Sequence, residues 1–415
     1  MKVLHIMHRS IPGTSGYAIR SREIVNKQFA HGLEPIVVTS PSQAPSGQLD
    51  ANSSEMIDGI RYFRTCGKWL TASREVYDPS NLRSALRVLQ NFRLISTCMK
   101  IARNYKPDII HAHSPFTCGL TGDAVGALLG IPTVYETRAS WEDSHLSRNR
   151  LTEKSPTYWL MKNLETLAMK GANVRIAISR ALRSDIVSRG FRPEQVEIVP
   201  NGVNLDHFVP GPASLSLQDQ LDIRDKTVLG YIGSFFYYEG LDLLIKAIAE
   251  LGTEFGNVIV LLVGSGEAEA DLRSLAQKLR VENRVVFAGR VPHAQVQDYY
   301  RLADILCLPR ISSRLTELVT PLKPVEIMAM AKPLLASDVG GHTETVIQNV
   351  NGALFKADNL EDFVGQLKRL ITEKDLRTEL GLRARAWVRD NLDWDILARK
   401  YTGIYQGLLS RSNKH

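Results

Sequence analysis

The chain has 415 residues, 44% of them hydrophobic and 23% charged, with 29 Gly, 18 Pro and a formal net charge of +7. At roughly 100–200 residues per domain this length gives two or three domains with self-sufficient cores, which excludes a stapled mini-protein, a collagen-like repeat and a disordered tail. No apolar run approaches the roughly 18 residues of a membrane span, and Val258–Val263 has strand length.

Met1–Arg9 is broken by His5 and His8 and holds no signal-peptide core, so a cytoplasmic location is expected. Cys66, Cys98, Cys118 and Cys307 form no C-x-x-C pair and read as reduced core thiols. The positive balance points to an anionic partner: a phosphorylated ligand, nucleic acid or anionic lipid.

Short β-rich runs alternate with amphipathic stretches, the pattern of βα units stacked into parallel sheets. Lys2–Met7, Pro35–Thr39, Asp108–His113, Pro132–Tyr135, Val174–Ile178 and Val196–Val199 are expected as strands of a first sheet. Ser10-Ile-Pro-Gly13-Thr-Ser-Gly16-Tyr17 lies between the first strand and a helix, so Gly16 either brings backbone to a ligand or simply turns the chain. Arg20 and Arg22 on that helix face either ligand or solvent. From Leu82 to Pro107, Arg83, Arg87, Arg93, Lys100, Arg103 and Lys106 occur without an acid. They interleave with Leu86, Leu89, Phe92, Ile95 and Met99 at near-helical spacing, either as a solvated basic face or as one that docks on anionic lipid. His111 and His113 end a strand and share one side of it by alternation.

Val209-Pro-Gly-Pro-Ala-Ser-Leu-Ser-Leu-Gln218 is Pro/Gly/Ser-rich and lacks periodicity, which sets the expected boundary between residues 1–208 and 209–393. The second series of strands is Val228–Ile232, Val258–Val263, Val285–Ala288, Ile305–Leu308 and Leu334–Ala336. Trp394–Leu409 has helical periodicity, and residues 394–415 are expected to pack back on the first domain.

Val260-Leu-Leu-Val263 runs into Gly264-Ser265-Gly266 and an amphipathic helix through Leu279. A strand, a Gly-rich turn and a helix N-terminus let backbone N–H groups approach a phosphate. The third glycine of G-x-G-x-x-G would fall on Glu269, so a plain tight turn is the alternative. Gly289-Arg290-Val291-Pro292, a helix around Tyr299–Asp304, a strand and Pro309-Arg310 follow. After a polar loop comes Glu317-Leu-Val-Thr320-Pro-Leu322-Lys323-Pro324-Val-Glu326-Ile-Met-Ala329. Lys323 and Pro324 open a helix there, so an ammonium and a helix N-terminus converge on one anionic group. Glu326 in the first turn either accepts from ribose hydroxyls or stabilises the helix start.

Together with Ser15-Gly16, Asp108-Ile-Ile-His111-Ala-His113, Val199-Pro-Asn201-Gly-Val-Asn204, Phe208, Gly233 and Gly340-Gly341 with Glu344, these segments resemble the retaining nucleotide-sugar glycosyltransferases of family 4, group 1. Tyr135-Glu-Thr-Arg-Ala-Ser-Trp-Glu-Asp143 and Thr320–Glu326 are most similar to a subgroup found in bacterial exopolysaccharide gene clusters. The resemblance implies the α/β GT-B fold, two doubly wound Rossmann-like lobes facing across a cleft. It also implies sugar transfer from a nucleotide sugar to a saccharide or polyprenyl-linked acceptor in polysaccharide biosynthesis. By resemblance the donor is bound by Gly233, Ser234, Gly264, Gly266, Arg290, Val291, Arg310, Leu322, Lys323 and Glu326. Arg138, Glu317 and Lys323 take catalytic roles, and Gly16, Tyr17, His113, Glu136 and Asn201 form the acceptor side.

In the front-face attack that the resemblance implies, the leaving diphosphate takes the acceptor proton, so neither a dedicated base nor a carboxylate pair at hydrolase spacing is required. No Asp-x-Asp lies within residues 209–393; no metal and no cofactor are therefore expected. Peripheral contact with an anionic membrane is the docking alternative for the basic stretch 82–107, and a nucleic-acid partner is not expected, since charge alone speaks for one.

The chain departs from the family in three places. The family carries two Glu separated by seven residues, but counting back from Glu326 reaches Leu318, beside Glu317; a one-residue slip or the Thr320–Leu322 backbone would serve instead. Where the family has Arg after the strand-end Gly and Lys before the next Gly, this chain has Gly233-Ser234 and Glu239-Gly240. Lys323, Arg310 and Arg314 remain as cations for the diphosphate. The family's donor-sugar His matches Arg138, which can bind phosphate or an acidic sugar but is a poor base. A nucleotide-sugar epimerase of the same fold and a non-catalytic sugar-nucleotide or polysaccharide-binding protein are the rival readings. A dinucleotide oxidoreductase lacks its fingerprint.

Overall fold

The computed structural model describes residues 1–13, 15–43, 49–50, 53–65, 82–146 and 152–412, excluding the side chains of 82–91, 293 and 412. Two units result, Met1–Pro200 with Trp394–His415, and Asn201–Asp393. Cys66, Arg83 and Arg87 lie outside the described residues or side chains; Cys98, Cys118 and Cys307 are free and buried. No described helix is long and apolar enough to cross a membrane.

Among the described residues, eight strands form the sheet of the first unit: β1 (Lys2–Met7), β2 (Glu34–Thr39), β3 (Ser54–Ile57), β4 (Ile60–Arg64), β5 (Ile109–His113), β6 (Thr133–Thr137), β7 (Val174–Ala177) and β8 (Val196–Ile198). Their order is β3-β4-β2-β1-β5-β6-β7-β8. All neighbours are parallel except β3 and β4. β5 and β6 are buried at every residue, as a parallel sheet covered on both faces requires. The β3–β4 hairpin is absent from the sequence expectation, although its signal was present: Asp58-Gly59 has φ of 51° and 80°, the paired positive values of a two-residue hairpin turn.

Helix Trp394–Ser412 completes this unit by burying Trp394, Leu397, Tyr401, Tyr405 and Leu408 among Val3, Ile24, Ile109, Val134, Ile176 and Val199. Lys27 and His31, at the end of helix Gly16–Ala30, reach Asp395 at 2.8 and 3.0 Å. Helix Phe116–Leu129 lies close on the sheet because Gly122 and Gly119 leave room. A Cβ at Gly122 would stand 3.0 Å from Ala112 Cβ, and one at Gly119 only 2.6 Å from the Tyr135 ring.

The second unit has six described strands: β9 (Thr227–Ile232), β10 (Val258–Val263), β11 (Val285–Gly289), β12 (Ile305–Leu308), β13 (Leu334–Ser337) and β14 (Ala353–Phe355). They are all parallel in the order β11-β10-β9-β12-β13-β14. Strand order reverses at β1/β5 in one unit and at β9/β12 in the other, the switch points where α/β sheets bind ligands.

The division falls between Pro200 and Asn201, not at 208/209. Val203 N–H donates to the Leu392 carbonyl at 3.0 Å, and Phe208 is buried in the second core, so residues 201–208 belong there. The stretch read as an aperiodic linker contains helix Leu215–Gln220, which starts because Ser214 Oγ accepts from Leu217 N–H.

Gly119→Ala substitutes a better helix former yet is expected to destabilise by about 1–3 kcal/mol through overpacking against Tyr135 and Ala168. Urea unfolding measures this, and an unchanged midpoint would contradict the close packing.

Candidate functional site

In the second unit the loops after β9, β10 and β11 are laced together by backbone hydrogen bonds. Gly233 N–H donates to Val263 O (2.9 Å), Phe235 N–H to Ser265 O (3.1 Å) and Gly264 N–H to Gly289 O (2.8 Å). A Cβ at Gly264 would overlap the Gly233 carbonyl, and one at Gly266 the Phe235 backbone. These two glycines therefore bring loop against loop, the plain tight-turn role. The helix beyond them starts only at Glu269 and carries Glu269 and Asp271 in its first turn, a sign that disfavours an anion there.

The charge gathers one strand over. Glu239, 2% exposed, accepts from Arg310 Nε at 3.2 Å, Arg310 Nη2 at 3.0 Å and Lys323 Nζ at 2.6 Å. Burial would push the Glu239 carboxyl up, but the two cations hold it at about 2. Burial also lowers the Lys323 ammonium, with Glu239 acting against it. Two cations share one carboxylate, so the cluster keeps one positive charge. Lys323 Nζ lies 5.1 Å from the centroid of the Tyr231 ring. Its stem crosses Gly233, where a Cβ would meet Lys323 Cε at 2.5 Å. Gly233 and Lys323, ninety positions apart, are thus brought together.

Lys323 opens helix Lys323–Ala329, as expected, although the helix has only seven residues. On it, half-buried Glu326 accepts from Tyr300 Oη at 2.8 Å, and burial raises its carboxyl. The expected polar loop contains helix Arg314–Leu318, capped by Ser313 and Thr316. Glu317 is engaged there: Oε2 accepts from Gly340 N–H at 2.7 Å and Oε1 from Ser312 Oγ at 2.8 Å. Asn201, expected in the first domain, belongs to this unit, and its Nδ2 donates to Thr320 O at 2.6 Å, holding the loop before Leu322. Ser234 and Arg290 are exposed, and half-buried Val291 packs against the core.

In the first unit, Glu136 on β6 is fully buried. Its Oε1 accepts from Arg20 Nε (3.1 Å) and Arg138 Nε (2.7 Å), and its Oε2 from Tyr401 Oη. Arg138 Nη1 donates to Tyr17 O (3.0 Å) and Ser21 Oγ (2.7 Å), and Nη2 to His113 Nδ1 (2.7 Å). A guanidinium only donates, which fixes the tautomers along a chain. His113 Nε2–H donates to His5 Nδ1 (3.0 Å) and His5 Nε2–H to Gln28 Oε1 (2.9 Å). Gln28 Nε2 donates to Tyr405 Oη (3.0 Å), which donates to His111 Nδ1 (2.7 Å). Burial lowers all three imidazoles, His113 to about 4, His5 to about 3 and His111 well below its ordinary value.

His5, His111 and His113 lie within metal-ligand reach of one another. Two guanidiniums against one carboxylate leave the surroundings positive, however, and the ring nitrogens of His5 and His113 are spent on the chain. The trio is therefore organised as hydrogen-bonded neutral rings. Each nitrogen of Arg138 donates within this unit, so the sugar-contacting role that the resemblance assigns to it has little free donor capacity behind it. Arg20 is buried on Glu136, whereas Arg22 is exposed and pairs with Asp58. Gly16 is exposed and begins its helix behind the Ser15 cap; half-buried Tyr17 accepts from His8 N–H. Arg20 and Tyr401 were missed as partners of Glu136, and Gln28 and Tyr405 as links of the histidine chain, the only signal being a polar residue, His5, inside an apolar strand.

Residues 14–207 match the family model described as Glycosyltransferase Family 4, and residues 216–387 the one described as Glycosyl transferases group 1. The chain belongs to glycosyltransferase family 4, group 1. It is 26% identical over 240 residues to a GDP-mannose-dependent alpha-(1-6)-phosphatidylinositol monomannoside mannosyltransferase of Mycobacterium tuberculosis, covering 57% of this chain and 62% of that protein. It is 27% identical over 314 residues to a D-inositol 3-phosphate glycosyltransferase of Kribbella flavida, covering 72% and 71%. The first curated relatives are thus matched over about three fifths of their length, between 59% and 62%. Anabaena HepE in complex with UDP superposes with a TM-score of 0.72 at 20% identity, covering 98% of this chain and all of that one. The fold is GT-B, with two Rossmann-like α/β units.

The buried neutral histidines make stability fall with acid. Their folded values lie below the unfolded value near 6.5, so the unfolded chain binds more protons between about pH 4 and 6.5, and stability intact above 6.5 is lost as pH drops through that window. Each ring contributes a slope of about 1.4 kcal/mol per pH unit. Because Glu165 and Asp123, raised by burial to about 7, slope the other way in this window, melting temperatures from pH 7.5 to 4.5 are compared between wild type and His5→Gln; an equal pH dependence in the two would rule out the neutral ring.

Proposed function

We propose that the protein transfers a sugar from a nucleoside-diphosphate sugar to a saccharide or lipid-linked acceptor with retention, in polysaccharide biosynthesis. The observation that carries this reading is the Glu239–Arg310–Lys323 cluster at the carboxyl ends of β9 and β12. It leaves one uncompensated positive charge where an α/β sheet takes its ligand. The family membership supports a nucleotide-sugar donor, and the UDP complex of HepE supports a nucleoside diphosphate of this kind.

Lys323 and Arg310 stabilise the charge that develops on the departing diphosphate, a task for preorganised donors in a water-poor site. The acceptor hydroxyl attacks from the face the leaving group vacates and gives its proton to a diphosphate oxygen. Glu326, held by Tyr300, accepts from the ribose hydroxyls. Lys323 and Arg310 supply the positive charge without a divalent ion, so transfer is expected to continue in EDTA; loss restored by magnesium or manganese overturns that part.

A panel of nucleotide sugars, tested first by thermal stabilisation and then by turnover with NMR of the product anomer, tests the whole reading. Release of an epimerised nucleotide sugar without an acceptor, or binding with no turnover, contradicts it. Lys323→Ala and Glu326→Ala should each lose about 1.5–3 kcal/mol of transition-state stabilisation, as removal of a charge-assisted contact does. Unchanged kcat/KM in both removes the donor assignment.

Peripheral contact with an anionic membrane is part of the same reading. On helix Leu82–Tyr105, Phe92, Arg93, Lys100 and Arg103 are exposed. Helix Pro156–Gly171 exposes Trp159, Leu160 and Leu167 at 52%, 55% and 53%, with Lys162 and Lys170 on the same helix. Such apolar and basic surfaces suit anionic headgroups, at about 1 kcal/mol per basic residue near the surface. Sedimentation with phosphatidylglycerol vesicles should show salt-sensitive binding that Trp159→Glu with Leu160→Glu weakens; no binding at low salt removes the membrane contact.

A further inference from the structure

The proposed donor site holds a carboxylate where its chemistry calls for cations. We propose that Glu239 is a positioning residue of the donor site, clamping the Lys323 ammonium and one edge of the Arg310 guanidinium so that both present their remaining N–H groups to the donor diphosphate. This rests on the reading of the site given above and goes beyond it by assigning a role to an acid that would otherwise oppose the ligand.

The geometry is that of a clamp. Glu239 Oε1 is shared by Lys323 Nζ and Arg310 Nη2, and Oε2 takes Arg310 Nε, so the carboxylate grips a single fork of the guanidinium. Arg310 Nη1 has no hydrogen-bond partner among the described residues, and Lys323 donates to Glu239 alone among them.

The carboxylate is itself fixed. It lies in the turn Tyr237–Glu239, and the following Gly240 has φ +67°. A Cβ at Gly240 would overlap the Pro309 carbonyl next to Arg310, so the turn is pressed against the end of β12. Gly233, on the other side, lets the Lys323 stem pass. Both glycines of the β9 loop thus serve to bring Glu239, Arg310 and Lys323 to one point. The cations arrive from the β12 loop and from helix Lys323–Ala329 rather than from the β9 loop itself.

A positioning role and simple charge balance predict opposite signs. If Glu239 were only a negative charge beside the ligand, its removal would tighten diphosphate binding. If it is a clamp, removal releases both cations and weakens binding. Protonation provides the second readout. The charged or titratable groups around the Lys323 ammonium are Glu239, Arg310, Glu326, Tyr231 and His342. Of these Glu239 is the main group that keeps the ammonium protonated against burial, while Arg310 opposes it.

The test is isothermal titration of the full chain with UDP and with GDP from pH 6.5 to 10, for wild type, Glu239→Gln and Glu239→Asp, beside turnover with whichever nucleotide sugar the wild type uses. Glu239→Gln is expected to lose about tenfold or more in affinity at pH 8. Its alkaline limb should move down by about one pH unit, because Lys323 loses the carboxylate that keeps it charged. Glu239→Asp keeps the charge but shortens the reach, so it should lose affinity with the limb unmoved; it also carries the test if the Gln variant does not fold. Tighter or unchanged binding in Glu239→Gln, or wild-type affinity in Glu239→Asp where only that variant folds, overturns the clamp while leaving the donor site standing. A wild-type protein that binds neither nucleotide and turns over no nucleotide sugar removes the donor site and the clamp together.

Discussion

A carboxylate shut away from water keeps its charge only if cations are brought to it. In both units that requirement organises the carboxyl end of the sheet. Glu136 is fully buried and Glu239 nearly so, and each draws two cations, Arg20 with Arg138 and Arg310 with Lys323. Isolated, either acid would cost several kcal/mol to bury, and deleting one partner of such a cluster commonly costs about 3–5 kcal/mol. The surrounding glycines, turns and helix starts can be understood as what is needed to deliver the partners.

The two clusters differ in what they leave over. Around Glu136 every nitrogen of Arg138 donates inward, Arg20 donates to the carbonyls of Val199 and Pro200, and Tyr401 closes the second carboxylate oxygen. That cluster joins helix Gly16–Ala30, β5, β6 and helix Trp394–Ser412 into one body, and its product is rigidity. Around Glu239 the Arg310 fork is only half used, and Lys323 gives one of its three protons. Unspent donors over a net positive charge are what an anionic ligand needs, so the proposed chemistry falls to the second cluster, while the first serves architecture.

Local signals in the sequence revealed the strands, because apolar runs such as Val258–Val263 and Ile109–His113 have few other fates. They also showed Lys323 and Pro324 at a helix start. What stayed hidden was either local chemistry passed over, as in the Asp58-Gly59 hairpin and the Ser313 cap, or contact across long separations. Nothing near Glu136 in the chain announces Tyr401, and nothing near Gly233 announces the Lys323 stem. The resemblance placed Gly233, Arg310, Lys323 and Glu326 in one site, but it gave no reason for Glu239, which entered only as a missing lysine. Glu317 shows the reverse case: the resemblance gave it a catalytic role, with no hint that its carboxylate accepts from the Gly340 amide and Ser312 hydroxyl.

That missing lysine follows from the positions of the other charges. With Ser234 in place of a loop arginine, the positive charge has to come from Arg310 and Lys323, which approach from different elements and repel one another. A basic residue at 239 would put three cations together with no counter-charge in a buried turn, whereas a neutral one would leave the two cations unanchored. An acid whose two oxygens can be divided between an ammonium and a guanidinium satisfies both demands, provided that position 233 has no side chain in the way of the lysine stem. Positions 233, 234, 239, 310 and 323 therefore form one coupled set, in which substitutions are not additive. Exchanging Glu239 alone toward the family's Lys should therefore damage the site, because it removes the shared counter-charge and adds a third cation to the pair.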